Sequence, residues 1–447
     1  MKLDIQEIVK ATGGRLLGDV INPMYIEGIC TDTRKIAAGS LFIPLAGVQV
    51  DGHDFIGQAA EKGAICALTE RENAVSDTSI PIIYVKSTRR ALMDLADYYR
   101  RKHDVKVVAI TGSAGKTTTK DMVADILSRK YRTKRTIGNF NNDIGMPLSI
   151  FQLEADDEVL VLEMGMNHAN EIHELSLVGV PDIAVITHIG DAHIENFENR
   201  EGILHAKLEI VDGLRPEGIV VLNGDDPLLT GTIAAEKVKD FNVLFPAAAN
   251  ILKADPVGFQ ETRCVFEWHG EKVRLTVPIP GSHMVMNALL ATVVGLEMGV
   301  TPVEITAAFE SFTPPEGRLN IFESGGKTII DDVYNANPAS MIEAIKVLCR
   351  KTPENSHRRR VAILGDMNEL GHVAEARHRE VGEFAAEAGV DLVVAIGELS
   401  RHINAHTHFD TLDAALEVLN DVVRSDDMIL VKGSRGMKLE QVVSLLK

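Results

Sequence analysis

A glycine-rich segment directly after the apolar run KVVAIT has the residue types of a phosphate-binding loop. Its residues are Thr111, Gly112, Ser113, Ala114, Gly115, Lys116, Thr117 and Thr118. The glycines let backbone N–H groups face a phosphate without a Cβ in the way, and a helix starting at Lys116 adds partial positive charge at its N-terminus. Lys116 can reach terminal phosphates, and the Thr117 hydroxyl can bind Mg²⁺. Ile110 stands where the common form of this loop has its first glycine, so a glycine-rich turn that only caps a helix is the alternative.

Two polar residues follow the next strand-like runs and are candidate metal ligands. Glu163 ends EVLVLEMG, and His193 comes shortly after PDIAVITHIG. In an open parallel sheet, ligands collect beyond the C-terminal ends of the strands, where a carboxylate can complete a Mg²⁺ shell beside a triphosphate. The alternatives are a solvated acid at a strand end for Glu163 and a structural role for His193, with His188 and His205 as competing histidines.

For Lys207 and for the polar residues after the run GIVVL, the sequence allows either a ligand-binding role or a structural role. Lys207 lies in the helical stretch EGILHAKLEI between apolar neighbours. Burial would lower the pKa of its amine, and a neutral amine can add CO₂ to form an anionic carbamate; spacing alone favours a lysine on the helix surface. Asn223, Asp225 and Asp226 end GIVVLNGDDP and could contact a nucleotide, although an ordinary Asn-Gly turn has the same pattern.

The elements that must position these residues indicate an α/β protein with several domains. A length of 447 residues suggests about three domains at roughly 150 residues each. Residues 1–100 read as a small α/β unit and residues 101–313 as a doubly wound parallel sheet, because strand and helix patterns alternate. Within the second range, ETRCVFEWHGEKVRLTVPIPG predicts a β-hairpin and GSHMVMNALLATVVGLEMG a long helix. Pro314-Pro315 marks the second boundary, after which residues 314–447 predict a Rossmann-like domain.

Charge and cysteine content exclude several classes of protein. The chain has 46 Lys and Arg against 64 Asp and Glu, a formal charge of −18, which disfavours a nucleic-acid binder. Its four cysteines form no Cys-x-x-Cys pair, so we expect neither a zinc site nor disulfides. The N-terminus lacks a signal-peptide pattern, and no apolar run approaches the length of a membrane span. We therefore expect a cytoplasmic protein.

Taken in order, the motifs resemble those of the Mur ligases, and the resemblance extends over nearly the whole chain. The matching blocks are TDTR (31–34), DGHDF (51–55), TGSAGKTTTKDM, GNFNNDIGMPLS (138–149), LEMGMNHANEI (162–172), HIGDAHIENF, EGILHAKLEI, LNGDDP, EGRLN (316–320), DDVYNANPASM (331–341), ILGDMNELG (363–371) and KGSRGM (432–437). The blocks EMGMNHANEI, VYNANPASM and GDMNELG resemble the members that add D-alanyl-D-alanine. The resemblance implies an ATP-dependent ligase that forms a peptide bond during peptidoglycan synthesis.

The resemblance also implies roles for individual residues. The first domain would bind a UDP-sugar, as part of UDP-N-acetylmuramoyl-tripeptide, through Thr31, Asp32, Thr33, Arg34, Gly52, His53, Asp54 and Phe55, with Asn139 and Asn142 assisting from the second domain. Outside the phosphate loop, the implied ATP contacts are Asn223, Arg318 and Asp332. Thr117 and Glu163 would bind one Mg²⁺ ion, and Glu163 and His193 a second. Lys207 matches the lysine that the family carbamylates and would be a further metal ligand. The third domain would bring in D-alanyl-D-alanine, and we expect a monomer.

The implied chemistry is activation of a peptide carboxylate as an acyl phosphate, followed by attack of the incoming amine. Lys116, Glu163, His193 and Lys207 are the expected catalytic residues, since phosphoryl transfer requires positioning and charge neutralisation. Alternatives are a different Mur-type ligase, a folylpolyglutamate synthetase-like enzyme, which a UDP-binding domain disfavours, and a regulatory phosphate-loop NTPase. A purely structural protein would leave the phosphate loop without a use.

An acyl phosphate hydrolyses readily, so water has to be excluded from the site. We predict that the third domain closes about the segment near Pro314-Pro315 when an ATP analogue and the UDP-linked substrate bind. Small-angle X-ray scattering should then give a smaller radius of gyration with both ligands than without them. An unchanged radius would contradict this prediction.

Overall fold

Five β-sheets organise the part of the chain that the computed structural model describes, namely residues 1–17, 24–47, 49–72, 79–350 and 357–447. Three of these sheets are the centres of successive α/β units, and two small antiparallel sheets accompany them. Among the described residues, none of the helices combines the length and the apolar character that a membrane span requires.

The first unit contains short strands and three helices. Its strands are β1 (Leu3–Asp4), β2 (Arg15–Leu17), β3 (Tyr25–Ile26), β4 (Gly28–Cys30), β5 (Ser40–Phe42), β6 (Ala64–Thr69) and β7 (Ile82–Tyr84), and its helices are α1 (Ile5–Thr12), α2 (Ile56–Glu61) and α3 (Thr88–Arg101). The main sheet has the order β2-β7-β6-β5-β4, in which only β2 is antiparallel to its neighbour, and β1 pairs with β3. Helix α3 leads out of this unit. The buried Arg100 guanidinium donates hydrogen bonds to the carbonyls of Gly179 and Val180, so α3 also packs on the next unit.

The second unit is built on a fully parallel six-stranded sheet. Its strands are β8 (Lys106–Thr111), β9 (Thr133–Arg135), β10 (Val159–Glu163), β11 (Ile183–Ile186), β12 (Ile219–Leu222) and β13 (Asn242–Leu244), and its helices are α4 (Lys116–Leu127), α5 (Gly145–Ile150), α6 (Glu171–Gly179), α7 (Arg200–Leu208) and α8 (Thr232–Val238). The order β13-β12-β11-β8-β10-β9 places β8 where the winding direction reverses. Ligands of open parallel sheets bind at such a switch point, beyond the C-terminal strand ends, and the phosphate-loop motif follows β8 there.

A three-stranded antiparallel sheet and two helices complete the second unit. They are β14 (Ile251–Val257), β15 (Glu261–Trp268), β16 (Glu271–Val277), α9 (Ser282–Glu297) and α10 (Pro302–Glu310). The predicted hairpin and the predicted long helix are therefore confirmed. Helix α9 packs closely on α4, since a Cβ added at Gly295 would lie 2.5 Å from Cγ2 of Ile126. This packing fixes the helix that starts at the phosphate loop.

The third unit is a Rossmann-like sheet with one antiparallel edge strand. Its strands are β17 (Asn320–Ser324), β18 (Lys327–Asp331), β19 (Arg360–Gly365), β20 (Leu392–Ile396), β21 (Thr407–Phe409) and β22 (Met428–Lys432), and its helices are α11 (Pro338–Leu348), α12 (Ala374–Glu387), α13 (Leu412–Val422) and α14 (Glu440–Leu446). The order is β17-β18-β22-β19-β20-β21, and only β17 runs antiparallel. The predicted α/β alternation is confirmed. The domain limits near residues 100 and 314 stay a prediction; α3 ends at Arg101, and Pro314-Pro315 lies between α10 and β17.

Candidate active site

A cavity of about 310 Å³ lies where the C-terminal strand ends of the second and third units meet. The sequence-predicted residues that line it are Ser113, Ala114, Gly115, Lys116, Thr117, Thr118, Asn139, Glu163, His193, Arg318 and Asp332. The folding of the chain thus brings together the phosphate-loop motif, three of the four candidate metal ligands (all but Lys207) and two of the three nucleotide candidates outside the loop.

The phosphate loop is held in shape by its neighbours at the sheet edge. Gly112 and Gly115 have φ values of 150° and 83°, and a Cβ at Gly112 would lie 2.0 Å from Oγ1 of Thr187, so only glycine fits at this position. The Ser113 N–H donates to the carbonyl of His188 (2.7 Å). These contacts form a preorganised anion site at the N-terminus of α4.

Lys116 is folded back over this loop. Its Nζ donates to the carbonyl of Gly112 (2.8 Å). Burial lowers the pKa of Lys116, while the negative charge of Glu163 opposes that shift. Because this hydrogen-bond partner is a neutral carbonyl, the ammonium charge can serve an anionic ligand.

Glu163 is a buried carboxylate with one unsatisfied oxygen. Its side chain lies at the end of β10 and is 1% exposed. Oε1 accepts a hydrogen bond from Nδ2 of Asn141 (2.7 Å), while Oε2 has no hydrogen-bond partner among the residues that the structure describes. A buried carboxylate oxygen without a partner is costly unless a cation or donor completes it. Together with the Thr117 hydroxyl and an imidazole on the same cavity wall, it fits a hard divalent cation.

His193 faces the same cavity and is oriented by a carboxylate of the third unit. It has a φ of 62° at the start of the short turn Ile194–Asn196, and its Nδ1 lies 2.8 Å from Oε2 of Glu369. This contact leaves Nε2 available for a ligand. The competing His188 pairs instead with the buried Asp226 (2.8 Å), and His205 is exposed on α7.

Lys207 is buried rather than on the helix surface, so the interpretation that spacing alone favoured was wrong. Its side chain is 1% exposed, and its amine has no hydrogen-bond or ion-pair partner in the described part of the chain. Burial, followed by the positive charge of Lys116, keeps the pKa of Lys207 well below its usual value. The charges of Lys116 and Glu163 act on this amine, although Lys207 is not among the residues that line the cavity.

Arg318 and Asp332 bring the third unit to the cavity. Nη2 of Arg318 donates to Oγ1 of Thr117 (3.0 Å), and its guanidinium lies 4.1 Å from the ring centre of Tyr334. Its Nε is buried without a hydrogen-bond partner among the described residues. Asp332 accepts a hydrogen bond from Nζ of Lys432 (2.6 Å). Both side chains are thereby held in place at the mouth of the phosphate loop.

Asn223, a predicted nucleotide contact, and Asn142, a predicted sugar-peptide contact, lie outside the cavity and make hydrogen bonds to the backbone. Asn223 donates from Nδ2 to the carbonyl of Thr187 and accepts the N–H of Asp225, each at 3.0 Å. Oδ1 of Asn142 accepts the N–H of Gly145 (2.8 Å) at the start of α5. These amides hold the edge of the sheet and the loop that carries Asn139.

The candidate sugar-nucleotide contacts of the first unit do not line this cavity. Arg34 binds the carboxylate of Asp32 through two nitrogens. His53 is buried; its Nδ1 lies 2.6 Å from Asp51, and its Nε2 accepts the N–H of Glu70. The Asp54 carboxylate binds Arg71 (2.8 Å). These residues shape two loops, and the role implied for them stays a prediction.

Several residues at the site were missed by sequence reasoning. Asn141 binds Glu163, although the run GNFNND offers three asparagines and does not say which one turns inwards. Asn287 on α9 lies against the phosphate loop, since a Cβ added at Gly115 would be 2.7 Å from its Oδ1. The mostly apolar sequence of α9 gave no reason to single out this asparagine. Glu369 lay within a motif but had no assigned partner. Its position beside His193 is a result of how two units pack.

Comparison with known proteins gives the same family for all three units. Family models match residues 25–100 (Mur ligase family, catalytic domain), 110–295 (Mur ligase middle domain) and 317–435 (Mur ligase, glutamate ligase domain). The chain is 36% identical to UDP-N-acetylmuramoyl-tripeptide--D-alanyl-D-alanine ligase of Bacillus subtilis, over 98% of each chain. It superimposes on MurF from Acinetobacter baumannii with a TM-score of 0.93, at 32% identity and over 100% of this chain and 99% of that one.

MurF ligase from Thermotoga maritima in complex with ADP is a second similar structure. It gives a TM-score of 0.82 at 29% identity, over 94% of this chain and 96% of that one. These full-length superpositions confirm the predicted fold class.

Asn141 should control how well the site binds a cation. Replacing it (Asn141→Ala) removes the donor to Glu163, and loss of a group that orients a metal ligand weakens metal binding about 10–100-fold. Electron paramagnetic resonance titration of Mn²⁺ with a non-hydrolysable ATP analogue present measures this. The neighbouring Asn142→Ala is the matched control, since loss of its hydrogen bond to the Gly145 N–H should lower stability by about 1 kcal/mol and leave Mn²⁺ affinity unchanged. Equal Mn²⁺ affinity of Asn141→Ala and the unsubstituted protein would refute the prediction.

Proposed function

The chain belongs to the Mur ligase family, and from that premise we propose that it joins D-alanyl-D-alanine to UDP-N-acetylmuramoyl-tripeptide with conversion of ATP to ADP and phosphate. The product would be the pentapeptide precursor of peptidoglycan. The observation that carries the proposal is the shared cavity, in which a phosphate loop and an open carboxylate oxygen of one unit face an arginine of another. The full-length similarity to ligases of this name specifies the two substrates.

The geometry suits formation of an acyl phosphate. The tripeptide carboxylate is a poor electrophile, and transfer of the terminal phosphoryl group of ATP would activate it for attack by the dipeptide amine. Such a transfer requires positioning and neutralisation of charge more than covalent help. Lys116 and the loop N–H groups would hold the phosphates, and Arg318, already at the Thr117 hydroxyl, would neutralise charge from the opposite wall.

The residues present also fit Mg²⁺. The Thr117 hydroxyl and Glu163 would hold one ion, and Glu163 and His193 a second. Bound Mg²⁺ would neutralise phosphate charge and orient the transferred group. Two observations support this assignment: Oε2 of Glu163 has no hydrogen-bond partner among the described residues, and the Glu369 carboxylate contacts Nδ1 of His193, which leaves Nε2 for a ligand.

Lys207 would act as a carbamate. An ammonium buried without a partner is unfavourable, and the lowered pKa of Lys207 favours the neutral amine that reacts with CO₂. The resulting anion would compensate the nearby charge of Lys116 and act as a further metal ligand or hydrogen-bond acceptor.

The remaining assignments follow the same premise. Residues 1–100 would bind the UDP-sugar through Thr31–Arg34 and Gly52–Phe55. Residues 101–313 would bind ATP, and Asn223 and Asp332 would be further nucleotide contacts. Residues 314–447 would deliver the dipeptide. Asn139 and Asn142 would assist the sugar-peptide. The enzyme would act in the cytoplasm, where its nucleotide-linked substrate and ATP occur, and would work as a monomer.

The reaction is tested by incubating the protein with ATP, Mg²⁺ and UDP-N-acetylmuramoyl-tripeptide, with and without D-alanyl-D-alanine. We expect ADP release that depends on the dipeptide and a product heavier by one dipeptide residue unit in mass spectrometry. Turnover with a single amino acid on a shorter precursor would move the chain to another Mur-type activity. ATP hydrolysis that is indifferent to every acceptor would refute the ligase and favour a regulatory NTPase.

The carbamate is tested by ¹³C nuclear magnetic resonance with ¹³C-bicarbonate. We expect a carbamate signal that is absent from Lys207→Met, and a fall in ligase activity of about 10–100-fold in that variant. Only the neutral amine reacts, so the signal should be present at neutral pH and decline as pH falls through the lowered pKa of Lys207. A signal that persists in Lys207→Met would assign the carbamate to another amine.

A further inference from the structure

A two-point contact joins His193 of the second unit to Glu369 of the third. Nδ1 of His193 and Oε2 of Glu369 are 2.8 Å apart. The backbone N–H of Glu195 also donates to the carbonyl of Glu369 (3.3 Å). A side-chain contact and a main-chain hydrogen bond between the same two loops define the relative position of the imidazole and the carboxylate.

Both loops are shaped so that they can approach this closely. His193 and Glu369 have φ values of 62° and 66°, a backbone conformation that costs a non-glycine residue free energy and persists where surrounding contacts enforce it. Gly371 faces Glu195, and a Cβ there would lie 2.9 Å from the Cβ of Glu195. Any side chain at Gly371 would therefore push the two loops apart.

The loop that carries Glu369 is also anchored within its own unit. The N–H of Met367 donates to Nε2 of the buried His378 (2.9 Å), and the N–H of Asn368 donates to Oγ of Ser434 (2.8 Å). Hydrogen bonds within the third unit thus fix the position of the loop that carries Glu369, independently of its contact with His193.

We propose that Glu369 is a positioning residue for the metal site: its carboxylate keeps the His193 proton on Nδ1 and directs Nε2 towards the divalent cation only while the third unit is docked. The inference rests on the proposed role of His193 as a metal ligand. A histidine ligand commonly donates its other ring N–H to a carboxylate, which fixes the tautomer and strengthens the ligand. Here that carboxylate belongs to the unit that would deliver the dipeptide, so completion of the metal site is coupled to docking of that unit.

The competing explanation is that the pair merely holds two units together. Other pairs cross the same boundary without touching a candidate ligand. Nε of Arg377 lies 3.0 Å from the Asp191 carboxylate, and Glu343 lies 3.2 Å from Nδ1 of His283. Glu343 is the matched control, because it is likewise a glutamate of the third unit paired with a histidine of the second.

The test is Mn²⁺ binding by electron paramagnetic resonance, with a non-hydrolysable ATP analogue, for the intact protein and its variants. We expect Glu369→Ala and His193→Ala each to weaken one Mn²⁺ site about 10–100-fold. The double variant should be no weaker than His193→Ala, because the two residues act through one ligand. Glu369→Gln, whose carbonyl can still accept from Nδ1, should bind better than Glu369→Ala, and Glu343→Ala should bind like the unsubstituted protein.

Three results would overturn the inference. Normal Mn²⁺ binding by Glu369→Ala, with loss in His193→Ala, would remove the positioning role and leave the proposed function intact. Equal losses of Mn²⁺ affinity in Glu343→Ala and Glu369→Ala would show that the His193–Glu369 pair only holds the two units together. Normal binding by His193→Ala would remove both the histidine ligand and the inference, while dipeptide-dependent turnover by the unsubstituted protein would still establish the reaction.

Discussion

The buried Glu163 carboxylate is the group on which the rest of the site depends. Removing an ionised carboxylate from water costs several kcal/mol unless partners replace its hydration. Asn141 supplies one hydrogen bond, and the second oxygen is buried without a hydrogen-bond partner among the residues that the structure describes. The described part of the fold therefore keeps a polar group in place without satisfying it, which is typical of a binding site rather than of a structural core.

The elements around Glu163 bring the phosphate loop next to its carboxylate. Strand β10 pairs with β8 so that Glu163 lies beside Ile110, one residue before the phosphate loop begins. The central position of β8 puts the loop at the reversal of the sheet order, the place where parallel sheets leave room for a ligand. The third unit then closes the open side with Arg318 and with the carboxylate that orients His193. No single unit contains a complete site, so chemistry is tied to docking.

The parts of this arrangement that local patterns determine could be predicted, and the parts that packing determines could not. A buried-strand run, glycines, a lysine and a helix pattern lie within a dozen residues, so the loop at Lys116 was predictable from sequence. Glu163 followed from its place at a strand end. The choice of Asn141 over Asn142 depends on the turn that the loop makes before α5, and the contact of Glu369 depends on two units meeting. Neither leaves a periodic signal in the sequence.

Two buried lysines near the site differ in their surroundings, and this difference, which the sequence does not reveal, distinguishes a structural lysine from a reactive one. Lys120 and Lys207 are each 1% exposed and lie on helices next to the site. Lys120 donates to the carbonyls of Thr136 and Gly138 and pairs with Asp121, so its charge is compensated and it supports the segment that leads to Asn141. Lys207 has no such partner in the described ranges. A charge buried without compensation is unstable, so this lysine is the one that the fold leaves to be neutral or to react.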